Sequence, residues 1–407
     1  MVRGSNLNRL GGFNQAVVFD AIRRAPGGIS RVELVGESGL TAQTVGNIVR
    51  RLLESRLVVE SGRVAAAGRG KPRMLLEVRP SARYAVGVHV DPATLTFLLL
   101  DLGGRIHAYH RRPTLGAHHP EQVVATIAEQ VRVLIIGSGV DEAEVLGLGV
   151  AAPGPLDVVE GILLRPPQLA GWNRVRLRSD LHTATGLHVL VDKDVTAAAT
   201  AERWALGGAR HHFVFGYLGS GVGAGVVMDD VVLRGASNNF GEIGTLLVDP
   251  AGEDLGLGVR GSLSSACSPQ SLVVRARRRG VPGTDVSPDD FVAVDAAFTE
   301  ICERAYAQDP VCLELLDGAA AGLATGLAAL VNVLDVDRVV LGGPIWSRIS
   351  SRMLALLPGL VQPQLLAAQR PLIIEGSAVG EHVAAQGAAA LVLDHFLSPR
   401  PSALLMD

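Results

Sequence analysis

Gln43, Thr44, Asn47, Arg50 and Arg51 recur at three- and four-residue spacing, which sets them on one face of a helix. Those side chains suit one kind of chemistry. An Asn or Gln amide offers a donor beside an acceptor and can read an adenine edge with two hydrogen bonds, and Arg can reach guanine or a phosphate. Most protein–DNA hydrogen bonds go to the backbone of the duplex. Gln43, Thr44 and Asn47 are therefore expected near bases, with Arg50 and Arg51 on phosphate. The other face carries Val45, Ile48, Leu52 and Leu53, expected to be buried.

The elements that must hold this helix lie on both sides of it. Val17, Val18, Ala21 and Ile22 mark an earlier helix, stopped by Pro26-Gly27-Gly28. Ser30 with Glu33 three residues on forms a capping box for a second helix, with Val32, Leu34 and Val35 as its apolar face and Gly39 at its end. Thr41 caps the third helix, with Thr44 at its third position. Helix, short Gly turn, helix is the helix-turn-helix layout. Leu57-Val58-Val59 and Met74-Leu75-Leu76 predict the two strands of a wing. Between them, Arg69-Gly70-Lys71-Pro72-Arg73 resembles the Arg-Gly-Arg-Pro core of AT-hooks, which implies that Arg69, Lys71 and Arg73 reach a narrow minor groove.

Charge agrees with an anionic partner for this segment alone. Residues 1–80 hold 13 Arg and Lys against 6 Asp and Glu, or +7; the rest holds 24 against 34, or −10, giving the −3 of the whole chain. A length of 407 residues suits two or three domains. Hydrophobic residues make up 48% but aromatics only 4%, so the cores must be built from Ala, Val, Leu and Ile. The longest uncharged apolar run, Gly318 to Leu334, is shorter than the roughly 20 residues that span a bilayer, so a buried helix and no membrane partner are expected. No apolar signal-peptide core opens the sequence. Cys267, Cys302 and Cys312 are odd in number and lack metal-ligand spacing, which fits a reduced, cytoplasmic location without disulfides.

Beyond residue 80 the pattern changes. Strands are predicted over Tyr84–Val90, Thr96–Leu102, Leu146–Val150, Leu187–Val191, Phe213–Leu218, Val222–Met228 and Val339–Leu341, with helices over Pro120–Ile136, Thr196–Leu206 and Asp317–Leu334. The Gly-rich "GSGVGAG" at 219–225 lies between two strands, so it reads as a hairpin over phosphate, not as a turn opening a helix. "GLTAQTVGNIVRRLLESRLV", "GVAAPGPLD", "PPQLAGW", "DKDVTAAATAE", "RGASNNFGEIG" and "VNVLDVDRVVLGG" complete a set that resembles the ROK family of repressors, open reading frames and kinases. The resemblance covers nearly the whole chain, since repressor members carry a winged helix before a kinase-like body.

What the resemblance implies is sharpened by where the residues depart from it. The family's phosphate turn, Asp-x-Gly-Gly-Thr, corresponds to His89-Val90-Asp91-Pro92-Ala93-Thr94, without its glycines. Pro92 removes a donor and the Ala93 Cβ narrows the space, and phosphoryl transfer depends on positioning. The family's zinc ligands correspond to Thr245, Leu255, Leu257 and Ser262, none of which suits zinc, so no metal and no cofactor are expected. Asp194 matches the catalytic base and Glu242 a sugar ligand. Lys193 replaces a sugar-binding Asn, Gln168 stands where Asn is common, and Ser264 replaces a Glu. Lys193 either recognises an anionic group on the ligand or pairs with Asp192 or Asp194.

The expected fold is α/β: an N-terminal winged helix-turn-helix (residues 1–80) followed by a two-lobed actin-like (ribonuclease H-like) sugar-kinase fold. The first lobe spans residues 81–190, with a helix at about 380–396 packing back on it, and the second spans 191–379. The expected function is a DNA-binding transcriptional regulator, a repressor of carbohydrate-metabolism genes. Its ligand cleft would use Gln168, Lys193, Asp194, Glu242, Thr245 and Ser264, and Asp194 is then a vestigial base in a non-enzyme. Its partners would be a double-stranded DNA operator and a sugar or phosphosugar effector. A homodimer or tetramer would match a palindromic operator. Two other readings stand beside it: a sugar kinase with an added head, drawing on Asp194, the 219–225 loop and Gly342-Gly343, and a regulator whose body is a ligand-free dimerisation platform.

Overall fold

The computed structural model describes residues 7–25, 27–64, 73–114, 119–206, 211–366 and 371–399. In the head, α1 (Leu7–Arg23), α2 (Arg31–Ser38) and α3 (Ala42–Glu54) pack with β1 (Ile29–Ser30), β2 (Val58–Val64) and β3 (Arg73–Val78), an antiparallel sheet in the order β1-β3-β2. The Ser30–Glu33 capping box forms as expected, and Gly39 ends α2 at φ 66°. Thr41 Oγ1 accepts the Thr44 N–H at the start of α3. Two expectations of burial fail. Val32 is 61% exposed, because residues two apart on a helix point nearly opposite ways and Leu34 takes the inward side. In α3 the buried row is Val45, Ile48, Val49 and Leu52, while Leu53 is only partly covered.

The body repeats one topology twice. Its first half holds β4 (Tyr84–Val90), β5 (Thr94–Asp101), β6 (Ile106–Pro113), α4 (Pro120–Ser138), β7 (Val145–Ala152), the small hairpin β8 (Leu156–Asp157) and β9 (Ile162–Leu163), α5 (Leu177–Thr185) and β10 (Val189–Lys193). The sheet order is β10-β7-β4-β5-β6: an antiparallel meander with two parallel strands added beside β4. After α6 (Asp194–Leu206), the second half has β11 (Phe213–Leu218), β12 (Val222–Met228), β13 (Val231–Val232), α7 (Leu263–Cys267), α8 (Pro269–Arg278), α9 (Phe291–Tyr306), α10 (Pro310–Leu334), β14 (Arg338–Gly342), α11 (Trp346–Val361), β15 (Ile373–Gly376) and α12 (Val383–Leu397). Its sheet, β13-β12-β11-β14-β15, is the same meander with two parallel additions.

Two Ala-rich helices, α6 and α12, fill the space between these sheets, and glycines let them approach. A Cβ at Gly87 of β4 would lie 2.0 Å from the Ala385 carbonyl oxygen, and one at Gly149 of β7 1.8 Å from that of Ala388. At Gly387 of α12 it would lie 1.8 Å from the Ala197 oxygen of α6. The strands they cover are buried on both faces, which is why β4 reads as a continuous apolar run. By length and composition α10 could cross a membrane; here Leu315, Leu316, Ala319, Leu323 and Leu327 pack it into the core of the second half.

Candidate functional site: an interlobe cleft and an exposed helix face

A cleft of about 820 Å³ opens where β10 passes into α6, facing the β11–β12 hairpin and the loop that runs to α7. Asp194 is the first residue of α6, two positions earlier than the expected helix start, so its Oδ1 accepts the Val195 N–H at 2.7 Å. Burial pushes its carboxyl up to about 7, against the opposing pull of Lys193. Gln168, Glu242, Thr245 and Ser264 line the same cleft. Gly221 and Gly244 make room there: an added Cβ would lie 2.5 Å from Gln168 Nε2 or 2.4 Å from Ser264 Oγ.

Lys193 does not line the cleft and does not pair with Asp192 or Asp194 as expected. It is 1% exposed, and its ammonium donates to the Asn239 carbonyl (3.2 Å), the Phe240 carbonyl (3.0 Å) and Glu242 Oε1 (2.5 Å). Asp192 is paired with Arg234. Gly154 is the clearance for this arrangement, since a Cβ there would meet Glu242 Oε1 and Lys193 Cε at 2.9 Å. Asn239 clamps the other wall, accepting the Leu156 N–H at 2.8 Å and donating to its carbonyl at 2.9 Å.

Beside the cleft the two halves of the body meet through side chains of the stretch that corresponds to the family's phosphate turn and of the β11–β12 hairpin. Ser220, in the β11–β12 hairpin, donates to the Asp91 carboxylate, with both oxygens at 3.0 Å. Asp91 also accepts the Ala93 N–H at 2.9 Å. One layer deeper, Tyr217 Oη lies 3.1 Å from His89 Nε2. Burial, with Arg111 nearby, brings His89 down to about 3, so the ring is neutral. The cavity next to this corner, between Ala93, Phe291 and Pro344, holds about 20 Å³. His89 and Asp91 lie in the stretch that corresponds to the family's phosphate turn, whereas Tyr217 carried no such signal.

The positions corresponding to the family's zinc ligands do not fit a metal. Leu255 and Ser262 are buried, and the Ser262 hydroxyl caps α7. Cys267 faces the core: its thiol is 3.3 Å from the Ala319 carbonyl, and burial pushes it up to about 12. Among the described residues no three His, Cys, Asp or Glu side chains gather as a metal site.

On the head, Gln43, Asn47, Arg50 and Arg51 form an exposed face of α3, with Thr44 half-exposed and its hydroxyl 2.9 Å from that of Thr41. Arg50 donates to Asn47 Oδ1 at 3.1 Å, so the two are not independent. Arg73 is exposed at the start of β3; Arg69 and Lys71 lie outside the described residues.

Among known proteins, the xylose repressor of Bacillus subtilis (strain 168) is 25% identical over 390 residues, 94% of this chain and 96% of the repressor. A glucokinase of Thermotoga maritima is 29% identical over 264 residues, 64% of this chain and 81% of the kinase. The solved structure of a ROK family transcriptional regulator, a homolog of the E. coli Mlc protein, superposes with a TM-score of 0.75 at 22% identity, covering 96% of this chain and 98% of that one. The ROK family's sequence model matches residues 85–395, most of the chain from β4 to α12. The chain belongs to the ROK family.

Proposed function

We propose that this protein is a sugar-responsive DNA-binding transcriptional repressor without kinase activity. The observation that carries the reading is the contrast inside the body. The cleft is open and lined by Gln168, Asp194, Glu242, Thr245 and Ser264 among other residues, whereas the stretch that corresponds to the family's phosphate turn is tied to the β11–β12 hairpin by the protein's own Asp91–Ser220 and His89–Tyr217 contacts. Phosphoryl transfer needs its phosphates clamped in a fixed place. A body that keeps an open cleft while the side chains at its phosphate-turn positions are bonded to each other suits a sensor. The relatives agree in extent: the xylose repressor matches across head and body, the glucokinase across 64% of the chain.

In this reading α3 enters the major groove, with Gln43, Thr44 and Asn47 toward bases and Arg50, Arg51 and Arg73 toward phosphates. Two heads on a dimer, or four on a tetramer, would meet a palindromic operator in the cytoplasm. The sugar changes operator affinity only if it binds the DNA-bound and free conformations unequally. The test is a paired one. Thermal unfolding with a panel of sugars should show a shift for at least one, and that sugar should change the affinity for an operator selected from random DNA. Coupled ATP-turnover assays with the same panel should stay flat. Robust turnover abolished by Asp194→Asn would overturn the proposal.

A further inference from the structure

We infer that Asn47 reads a guanine, and that Arg50 makes this choice by holding the Asn47 carbonyl oxygen. The inference rests on the reading of α3 as a recognition helix and names the base that one of its side chains selects. A free amide suits adenine, whose N6–H and N7 call for an acceptor and a donor at once. Asn47 is not free in that sense: the Arg50 guanidinium donates to its Oδ1 at 3.1 Å.

The chemistry of the two groups fixes the orientation of the amide. Arginine carries five N–H donors and no acceptor, so the Asn47 atom that faces it is the oxygen. The two arms of an amide diverge, so the nitrogen is turned away from Arg50. Asn47 then offers two N–H donors, while its acceptor is engaged along the helix. In the major groove a guanine edge presents two acceptors, O6 and N7, and no donor; an adenine edge presents one acceptor beside a donor. A side chain that only donates matches the first and leaves the adenine N6–H without a partner. Arg50 uses one of its N–H groups in this way and keeps the others for phosphate. It is a positioning residue, acting on the base through Asn47.

The neighbours of Asn47 on α3 support this division. One turn earlier, Gln43 is exposed and makes no hydrogen bond among the described residues, so it keeps both arms for an adenine. Asn is a short side chain, and to reach a base it needs the helix backbone close by. Gly46, the residue before it, gives up helix propensity without a packing reason. Among the described residues nothing beyond its own helix lies within 4 Å of a Cβ built there. Leaving out that methyl lets the backbone beside Asn47 approach the groove floor.

The test uses the full chain. An operator is selected from random DNA, and competition titrations then replace each of its base pairs in turn. Asn47→Ala should erase the preference at a single position of the half-site, and wild type should favour G·C there over A·T by about tenfold. Arg50→Met removes the donors at similar side-chain length. It should weaken binding overall and cut the G·C preference at that position to under about threefold, because the released amide can turn both arms to adenine. Arg50→Lys keeps a donor and a charge and should keep the guanine. A residue that only grips phosphate lowers affinity equally for every base pair. An unchanged base ratio in Arg50→Met therefore overturns the positioning role. An A·T pair at the Asn47-dependent position, or no position that depends on Asn47, overturns the inference and leaves the repressor reading standing. Selection that yields no operator overturns both.

Discussion

At the residue scale Asp194 is the group whose chemistry the fold has changed most. Its carboxyl, ordinarily ionised well below neutrality, is pushed up to about 7 by partial burial in the cleft wall, against the pull of Lys193. A carboxyl raised in the folded state binds its proton there more tightly than in the unfolded chain. The folded form is therefore penalised as pH rises from about 4 to about 7, and the penalty is complete above that window. Asp194→Asn removes the titration. Wild type should lose stability relative to this variant between pH 4.5 and 7.5, read as diverging urea midpoints; parallel profiles would contradict the assignment. Binding of a sugar that donates a hydroxyl to this carboxylate favours the charged form, so sugar affinity should rise across the same interval. Asp194 and Glu242 were legible in the sequence through their motifs. The partner of Lys193 was not, since Glu242 lies 49 residues away in sequence and only the packing of β10 against the 239–242 loop brings them together.

At the element scale the body is organised by two helices that could come so close only because both are made of small residues. Gly387→Ala places a Cβ 1.8 Å from a backbone oxygen of α6, an atom that cannot move without shifting the helix. The expected loss is about 3 kcal/mol in urea unfolding. Gly318→Ala, on an exposed face of α10 with nothing within 4 Å of the added carbon, should instead gain up to about 1 kcal/mol from helix propensity. Equal and small effects of the two would refute the packing argument. On α3, Asn47→Ala should reduce discrimination between operator and random DNA. Arg50→Ala should weaken both and lower the salt slope by about 1 in filter-binding titrations. The strands β4, β11 and β12 were legible to the residue because both of their faces are apolar. The edge strand β6 was not: it alternates half-buried with exposed His and Arg, and its pairing with β5 supplies what its composition does not. The face of α2 was misread because eight residues give too few turns for spacing to outvote a single exposed Val.

At the scale of the whole molecule, the elements that line the cleft also end against the head. The 13 residues of α6 run from Asp194 to Leu206, about 20 Å at the usual rise per residue. Near their far end, Trp204 lies under the Arg23 guanidinium at 3.9 Å and Arg203 is bonded to Asp394 of α12 at 2.9 Å. The strand β12 starts in the cleft at Val222 and ends in the turn whose Asp230 holds Arg24, the residue that follows α1, at 2.8 Å. Arg24 also holds Asp20, so one ion network joins α1 to α6, α12 and the β12 turn. Apolar side chains continue the joint, with Val18, Phe19 and Ile22 in one core with Leu98, Trp204 and Ala389. These contacts give α6 and β12 a continuous physical connection from the cleft to α1. Asp230→Asn keeps the shape and removes the charge, which should weaken docking of the head by roughly 2 kcal/mol, the scale of a hydrogen bond to a charged group. Hydrogen exchange should then speed up roughly thirtyfold in peptides of α1 to α3, by the usual factor of ten per 1.4 kcal/mol, while β11 and β12 stay protected. Sugar binding in the cleft should be retained but change operator affinity less than in wild type. A head that exchanges at the wild-type rate and still responds fully to sugar would mean that the apolar joint alone carries the coupling.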